Sequence, residues 1–459
     1  MDDRRGGHDL TQGRVSSVLL RFAVPFVASG MVMALYNIVS MLVVGRFTDS
    51  ATISGVATGT QIMFPPVAFM MGLGTGGTVL IGRCVGKKDA EAGARAAGSF
   101  AVVSAALTVF LTLLMLFCRE PLLAVLKTPA EALPSARRYI LLCTIGVPFN
   151  TAYSMISAVA RGTGNSKAPS IAAGISCIVN IALALILVGV FGMAEAGVAV
   201  ATSAAQFVSF VHMAVWMYRN KLPFPFAMKD LRADKESVQF LFAVGIPLVL
   251  QELLVSISFM INTNRVNNLG VEASASVGVV SRIFQIAGVI PLSIGSAISA
   301  ITAQNLGAGK PERAVSALRW GVLYSASANA VLLFLCQFRP EAITAAFTWD
   351  PAIIAGAASY LRSFSIEALI IAFTFCMNNY LSGCGKSHVS MWCIISTSFL
   401  VRVPLSIWIA GLEGIALDDK LFYLGLASPL ATVISMIVGL AYILRLNRKL
   451  LQKGDALAS

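Results

Sequence analysis

Charge is what this chain has least of: Asp, Glu, Lys and Arg make up 12% of its 459 residues, against roughly 25% in a soluble domain. Histidine is scarcer still. His8, His212 and His388 stand at no metal-ligand spacing, and neither a paired-histidine zinc motif nor a nucleophile elbow occurs. With no such constellation, no enzyme chemistry is expected and no metal site. The eight cysteines show no paired spacing and fall mostly inside apolar stretches, which argues against a disulfide framework or zinc cluster and leaves them as small packing residues. Strict apolar-polar alternation is also missing, which excludes an outer-membrane barrel. The polar opening Met1–His8 is followed by an apolar run far longer than a signal-peptide core, so no cleaved signal is expected.

What fills the chain is apolar: 57% of residues are hydrophobic and the mean hydropathy is +0.80. Continuous runs of about 20 apolar residues, the length that crosses a bilayer as helix, lie near 17–43, 52–78, 97–117, 138–160, 168–190, 197–217, 238–262, 273–299, 317–337, 358–381, 388–411 and 422–445. These predict an all-α integral membrane protein with twelve transmembrane helices, six in each half.

The halves repeat. Gly162-Thr-Gly164-Asn-Ser166 is answered by Gly383-Cys-Gly385-Lys-Ser387, and Gly86-Lys-Lys-Asp-Ala-Glu91 by Gly307-Ala-Gly-Lys-Pro-Glu312, both at an offset of 221 residues. Phe22-Ala-Val-Pro25 is echoed by Phe242-Ala-Val-Gly-Ile-Pro247, and Asp49…Gly55 by Glu272…Gly278. Two copies of one membrane unit indicate a transporter. The boundaries read as a first lobe over 1–217, a polar linker over 218–237 and a second lobe with its tail over 238–459. Two segments, 118–137 and 338–357, read as longer outer loops. Pro25 and Pro247 each remove a backbone hydrogen bond near the start of a lobe and predict bends that can serve as hinges.

Arg83, Lys87, Lys88, Arg95, Arg161, Lys310, Arg313, Arg319, Arg445 and Arg448 fall on one side of the predicted topology. The positive-inside rule then puts both termini in the cytoplasm, across the inner membrane. The net charge of +12 thus reports topology and contact with anionic lipid rather than nucleic-acid binding, because the cations are spread over many short loops. Gly72-Leu-Gly74-Thr-Gly76-Gly77 imitates a phosphate-binding turn but lies inside an apolar helix, where close helix packing accounts for it. Gly385-Lys386-Ser387 ends like a P-loop, yet the required earlier glycine is Tyr380.

Several strings together resemble the MATE family, multidrug and toxic compound extrusion transporters: Leu35-Tyr-Asn-Ile-Val39, Ile81-Gly-Arg83, Arg161-Gly-Thr-Gly-Asn165, Ala303-Gln-Asn-Leu-Gly-Ala-Gly309, Gly383-Cys-Gly385 and Val401-Arg-Val-Pro404. The resemblance covers essentially the whole chain. It implies two pseudo-symmetric six-helix lobes, a central cavity, and export driven by a sodium or proton gradient with no other cofactor. The family pattern breaks in the first lobe. The position of Ser40 is commonly aspartate in the family, and the acid that follows Asn180 by four residues is here Ala184.

Polar side chains at membrane depth are candidates for the transport path. Tyr36, Asn37 and Ser40 share a helix face, and Asn180 and Thr202 survive from the family's first-lobe site. Asn150, Tyr153, Gln251, Ser256 and Asn378 complete the proposed substrate contacts. The remaining deep carboxylates, Glu252 and Glu367, are the candidate ion carriers, with Arg402 as a partner able to hold either; Arg265 and Arg282 count as further deep cations. The expectation is a monomeric exporter of small amphiphilic molecules, working by alternating access. The runner-up is a flippase for a lipid-linked or anionic amphiphile, and a non-transporting receptor comes third.

Overall fold

A computed structural model describes residues 8–220 and 222–458, the side chains of 37, 38, 41–44 and 453–458 lying outside the described set. Every regular element among the described residues is helical. The spans are α1 (Val15–Phe47), α2 (Ser50–Lys87), α3 (Ala90–Val125), α4 (Leu133–Gly162), α5 (Lys167–Val190), α6 (Ala194–Arg219), α7 (Lys235–Asn267), α8 (Val271–Gly307) and α9 (Pro311–Phe338). They continue as α10 (Pro351–Phe364), α11 (Ile366–Gly383), α12 (Ser387–Ala410) and α13 (Leu417–Ala458). Eleven of these are long and apolar enough to cross a membrane alone, and α10 with α11 forms a twelfth span bent by 43°. The twelve-span expectation holds, although the helices outrun the apolar segments at both ends.

The two expected outer loops are mostly helix. Helix α3 runs through Arg119-Glu120-Pro121 to Val125, α4 begins at Leu133, and Pro340 and Pro351 each open a helix. Proline in a first turn gives up no hydrogen bond, because its N–H would be unpaired there anyway. These prolines therefore start helices rather than loops.

Two packing units emerge. The first comprises residues 8–10 and 24–246, the second 11–23 and 247–458. Chain division falls inside α1 beside Pro25 and inside α7 at Pro247, the two matching prolines. In the first unit the polar stretch after α6 is folded onto α3: Phe224 is buried against Gly93, and the Asp230 carbonyl occupies the space a side chain at Gly98 would need. Large apolar side chains such as Val109, Phe110 and Phe117 point outward from α3, as expected of a lipid-facing surface.

Inside each unit, helices approach through small residues. A Cβ on Gly162 would stand 2.9 Å from Ile81 Cβ and 3.0 Å from the Thr78 carbonyl oxygen. A Cβ on Gly383 would stand 2.7 Å from Thr302 Cβ and 2.8 Å from the Ser299 carbonyl oxygen. Each contact repeats at the 221-residue offset, so the sequence repeat is a packing repeat. The Gly72–Gly77 string has the same purpose: Gly76 lies against the Leu241 carbonyl and Gly77 against the Phe100 ring.

Candidate functional site

In the first unit the structure brings together Tyr36, Ser40, Asn180 and Thr202. The Tyr36 hydroxyl lies beside those of Ser40 and Thr202. Asn180 Nδ2 donates to Thr202 Oγ1 at 3.4 Å, and Thr202 Oγ1 donates back to the Val198 carbonyl at 2.9 Å. Thr60 Oγ1 donates to the Tyr139 hydroxyl at 3.3 Å on the same side of the unit. All these groups are neutral. Ala184, where the family carries an acid, is 3% exposed and packed with Tyr139, Cys143, Val188 and Val198, with no cation among those neighbours to pair with a carboxylate. The side chain of Asn37 lies outside the described residues. Asn150 and Tyr153 have other partners: Asn150 Nδ2 donates to Met70 Sδ at 3.2 Å, and the Tyr153 hydroxyl to the Pro169 carbonyl at 3.3 Å.

In the second unit the α10–α11 break falls at Ser365, which puts Glu367 in the first turn of α11. The unpaired N–H groups and dipole of a helix start favour an acidic side chain there. Glu367 is 3% exposed and Arg402 is 7% exposed. They are joined through a third residue, because Thr432 Oγ1 donates to Glu367 Oε1 at 2.8 Å and Arg402 Nη2 donates to Thr432 Oγ1 at 3.5 Å. The guanidinium also lies over the Phe259 ring, 4.8 Å from its centroid, within cation–π range. Tyr360 stands next to both charged groups. Helix α12 widens into a π turn over Ser398–Arg402, and Arg402 is the last residue of that turn.

Glu252 is half-buried on α7 and makes no hydrogen bond or ion pair among the described residues. Its neighbour Gln251 accepts from Ser390 Oγ at 3.0 Å and so ties α7 to α12. Glu252, Ser256 and Phe259 share one face of α7 by i, i+4, i+7 spacing, so that the carboxylate and the ring beneath Arg402 are about two turns, roughly 10 Å, apart along the axis. Asn378 is half-buried on α11, about three turns from Glu367 and on its side of the helix.

The two further arginines expected at depth are not buried. Arg265 lies exposed in the last turn of α7, and Arg282 is exposed on α8. Position along an apolar run does not give burial, and of the three arginines only Arg402 is buried. Sequence reasoning also missed Thr432, Ser428, Tyr360 and Phe259. A usable signal existed, since Ser428, Thr432 and Ser435 form an i, i+4, i+7 hydroxyl stripe in an otherwise apolar run.

Two units of six spans, each folding a polar cluster inside its helices, define a polytopic membrane protein of the secondary-transporter class. The MatE family model matches residues 25–186 and again 247–408, and the chain belongs to that family, the MATE multidrug efflux transporters. It is 25% identical to the probable multidrug resistance protein YpnP of Bacillus subtilis (strain 168) over 91% of this chain and 94% of the relative. With the probable multidrug resistance protein YoeA of the same organism it shares 28% identity over 68% of this chain and 69% of the relative. Among solved structures, an outward-facing multidrug resistance MATE family transporter of the MOP superfamily superposes with a TM-score of 0.90 at 20% identity, covering 97% of this chain and 100% of the other. That likeness establishes the fold.

Proposed function

We propose that this protein is a secondary active exporter of small amphiphilic molecules in the cytoplasmic membrane, coupled to a proton or sodium gradient through carboxylates of its second lobe. One observation carries the reading: the membrane-depth acids, Glu252 and Glu367, are both in the second unit, while the cluster Tyr36–Ser40–Asn180–Thr202 in the first unit is uncharged. A neutral cluster of hydroxyls and an amide suits the hydrogen-bonding part of a substrate and offers nothing that a proton or cation would displace. The names of the relatives support export of drug-like compounds. Gradient-driven switching between two states then needs a group whose charge differs between them, and Glu252, half-buried and without a partner, suits that role best. The distribution of cations supports a cytoplasmic position for both termini.

A second reading is favoured by Arg402, whose Nε and Nη1 are buried without hydrogen-bond partners. Such a guanidinium suits an anionic head group, and with it a flippase-like activity on anionic amphiphiles.

Flux in liposomes under separately imposed proton and sodium gradients tests both. Uphill export of an amphiphilic dye under one gradient, lost in Glu252→Gln while passive exchange persists, is the expected result. Export unchanged in the Glu252→Gln, Glu367→Gln double variant rejects the coupling assignment. Movement of an anionic amphiphile, with no dye flux under either gradient, selects the second reading.

A further inference from the structure

The link between Glu367 and Arg402 is a single hydroxyl with one proton and two acceptors. Thr432 Oγ1 lies 2.8 Å from Glu367 Oε1 and 3.0 Å from the Ser428 carbonyl oxygen. It can satisfy only one at a time, because a hydroxyl donates once and accepts twice. We propose that Thr432 is a positioning residue that passes the protonation state of Glu367 on to Arg402 and the wide turn of α12. The proposal rests on the proton-coupled form of the reading above and adds to it the part that moves first.

The two hydrogen-bond arrangements follow from counting donors. With Glu367 as a carboxylate, Thr432 gives its proton to Oε1, and its lone pairs face the donor Arg402 Nη2 at 3.5 Å. The three groups then form one directional chain from cation to anion, in which each bond polarises the next. When a proton from the aqueous side adds to the carboxylate, Glu367 becomes the donor. The 2.8 Å contact reverses, Thr432 turns its proton to the Ser428 carbonyl, and its two lone pairs now face two donors, Glu367 and Arg402, so that no anion ends the chain. Arg402 already has Nε and Nη1 without partners, so once the carboxyl is neutral it keeps only the Thr432 contact and the Phe259 ring on α7.

No other charged side chain disturbs this arrangement. The titratable groups facing Glu367 are Arg402 from α12 and Tyr360 from α10, and α13 adds the hydroxyls of Thr432 and Ser428. Helix α9, packed on α11, contributes Asn329, whose amide is spent on the Ala368 carbonyl at 2.7 Å. Helix α8 packs on α11 through Gly295 and Asn379 and brings no charge to Glu367. The wide turn that ends on Arg402 gives the switch a mechanical outlet, because π turns inside α-helices cluster at functional sites and adjust locally.

The test uses the full chain in liposomes and two readouts. One is an infrared titration of the carboxyl C=O band that disappears in Glu367→Gln. The other is the pH of half-maximal export of an amphiphilic dye. Thr432→Val, which keeps the shape and removes the hydroxyl, is expected to displace the band midpoint by about one pH unit, the scale of one charge-assisted hydrogen bond. Thr432→Ser restores the wild-type midpoint. Arg402→Gln displaces the midpoint in both backgrounds, because the guanidinium also acts on the carboxylate through space, but by less in Thr432→Val, where the hydrogen-bonded part is already cut. An unmoved band in Thr432→Val, an equal displacement in Thr432→Ser, or additive effects of Thr432→Val and Arg402→Gln overturns the proposal. Absence of dye export by the wild type refutes the transport reading instead, while the infrared midpoints still decide the role of Thr432.

Discussion

Gly77 faces Phe100 so closely that a Cβ on the glycine would stand 2.5 Å from the ring. At the 221-residue offset the pair becomes Ile298 and Gly321, again in direct contact, with the large and small partners exchanged between the helices. The second helix of the first lobe gives the glycine and the third gives the bulk, whereas in the second lobe these roles reverse. The close glycine-to-bulk contact recurs in both copies while the side chains that make it change places.

Gly77→Ala is therefore expected to lower stability by about 1–3 kcal/mol, the usual range for overpacking. Phe100→Leu in the same chain should recover part of the loss, because the ring is what the added methyl meets. Gly321→Ala with Ile298→Val provides the matching pair in the second lobe. Thermal unfolding in detergent of each single and double variant measures the coupling; additive losses would show that the contact does not set the spacing.

Restoring the family acid in the first lobe should damage the protein rather than improve it. Ala184 is buried in a cluster without a cation, and a charge placed there without an ion partner is costly. Ala184→Asp is expected to lower the melting temperature markedly and to leave gradient-driven flux no higher than wild type. A gain in flux without loss of stability would show that the cluster rearranges to accept the charge.

At the start of α7, Asp234 Oδ2 accepts from the Ser237 backbone N–H at 2.9 Å. Hydrogen bonds from the Ser237 backbone and hydroxyl hold its carboxyl below the usual aspartate range. A folded-state value below the unfolded one stabilises above the unfolded value, near 3.9, and the contribution is lost as pH falls through the lowered value. Asp234→Ala should thus melt earlier than wild type at neutral pH, with a cap worth about 1 kcal/mol or less, and the difference should vanish in acid below about pH 3. Parallel melting curves across pH 3–8 would refute the cap as the source.

The second unit holds the segment before α1 by main-chain contacts. Arg313 Nη1 and Nη2 donate to the carbonyls of Gly13 and Gln12 at 2.8 and 3.0 Å, and Lys310 Nζ donates to the Thr11 carbonyl at 3.1 Å. Arg313→Ala is expected to raise amide exchange across residues 11–18 at least several-fold while leaving the α9 interior protected. Unchanged exchange there would mean that the buried Leu10 and Thr11 anchor the segment without the cation.

Much of this was open to the sequence. Membrane insertion, the number of spans and the duplication depend on local hydrophobicity and on motif spacing, both of which act along the chain. The neutrality of the first-lobe site was legible for the same reason, since Ser40 and Ala184 can be read one position at a time. The fate of Pro340 and Pro351 was not, because proline breaks a helix interior and begins a helix equally well, and only the neighbouring packing decides which.

The linear sequence determined that this chain is a duplicated twelve-span membrane protein whose candidate membrane-depth acids, Glu252 and Glu367, lie in its second half, because burying a charge in lipid is penalised wherever it occurs and position along an apolar run records that. Tertiary structure decided which charges meet. Glu367, Thr432 and Arg402 come from three different helices, and their contact depends on the bend at Ser365, the wide turn ending at Arg402 and the azimuth of α13. Arg282 and Arg402 both stand in apolar runs, yet one is exposed and the other closes the hydrogen-bond chain to Glu367.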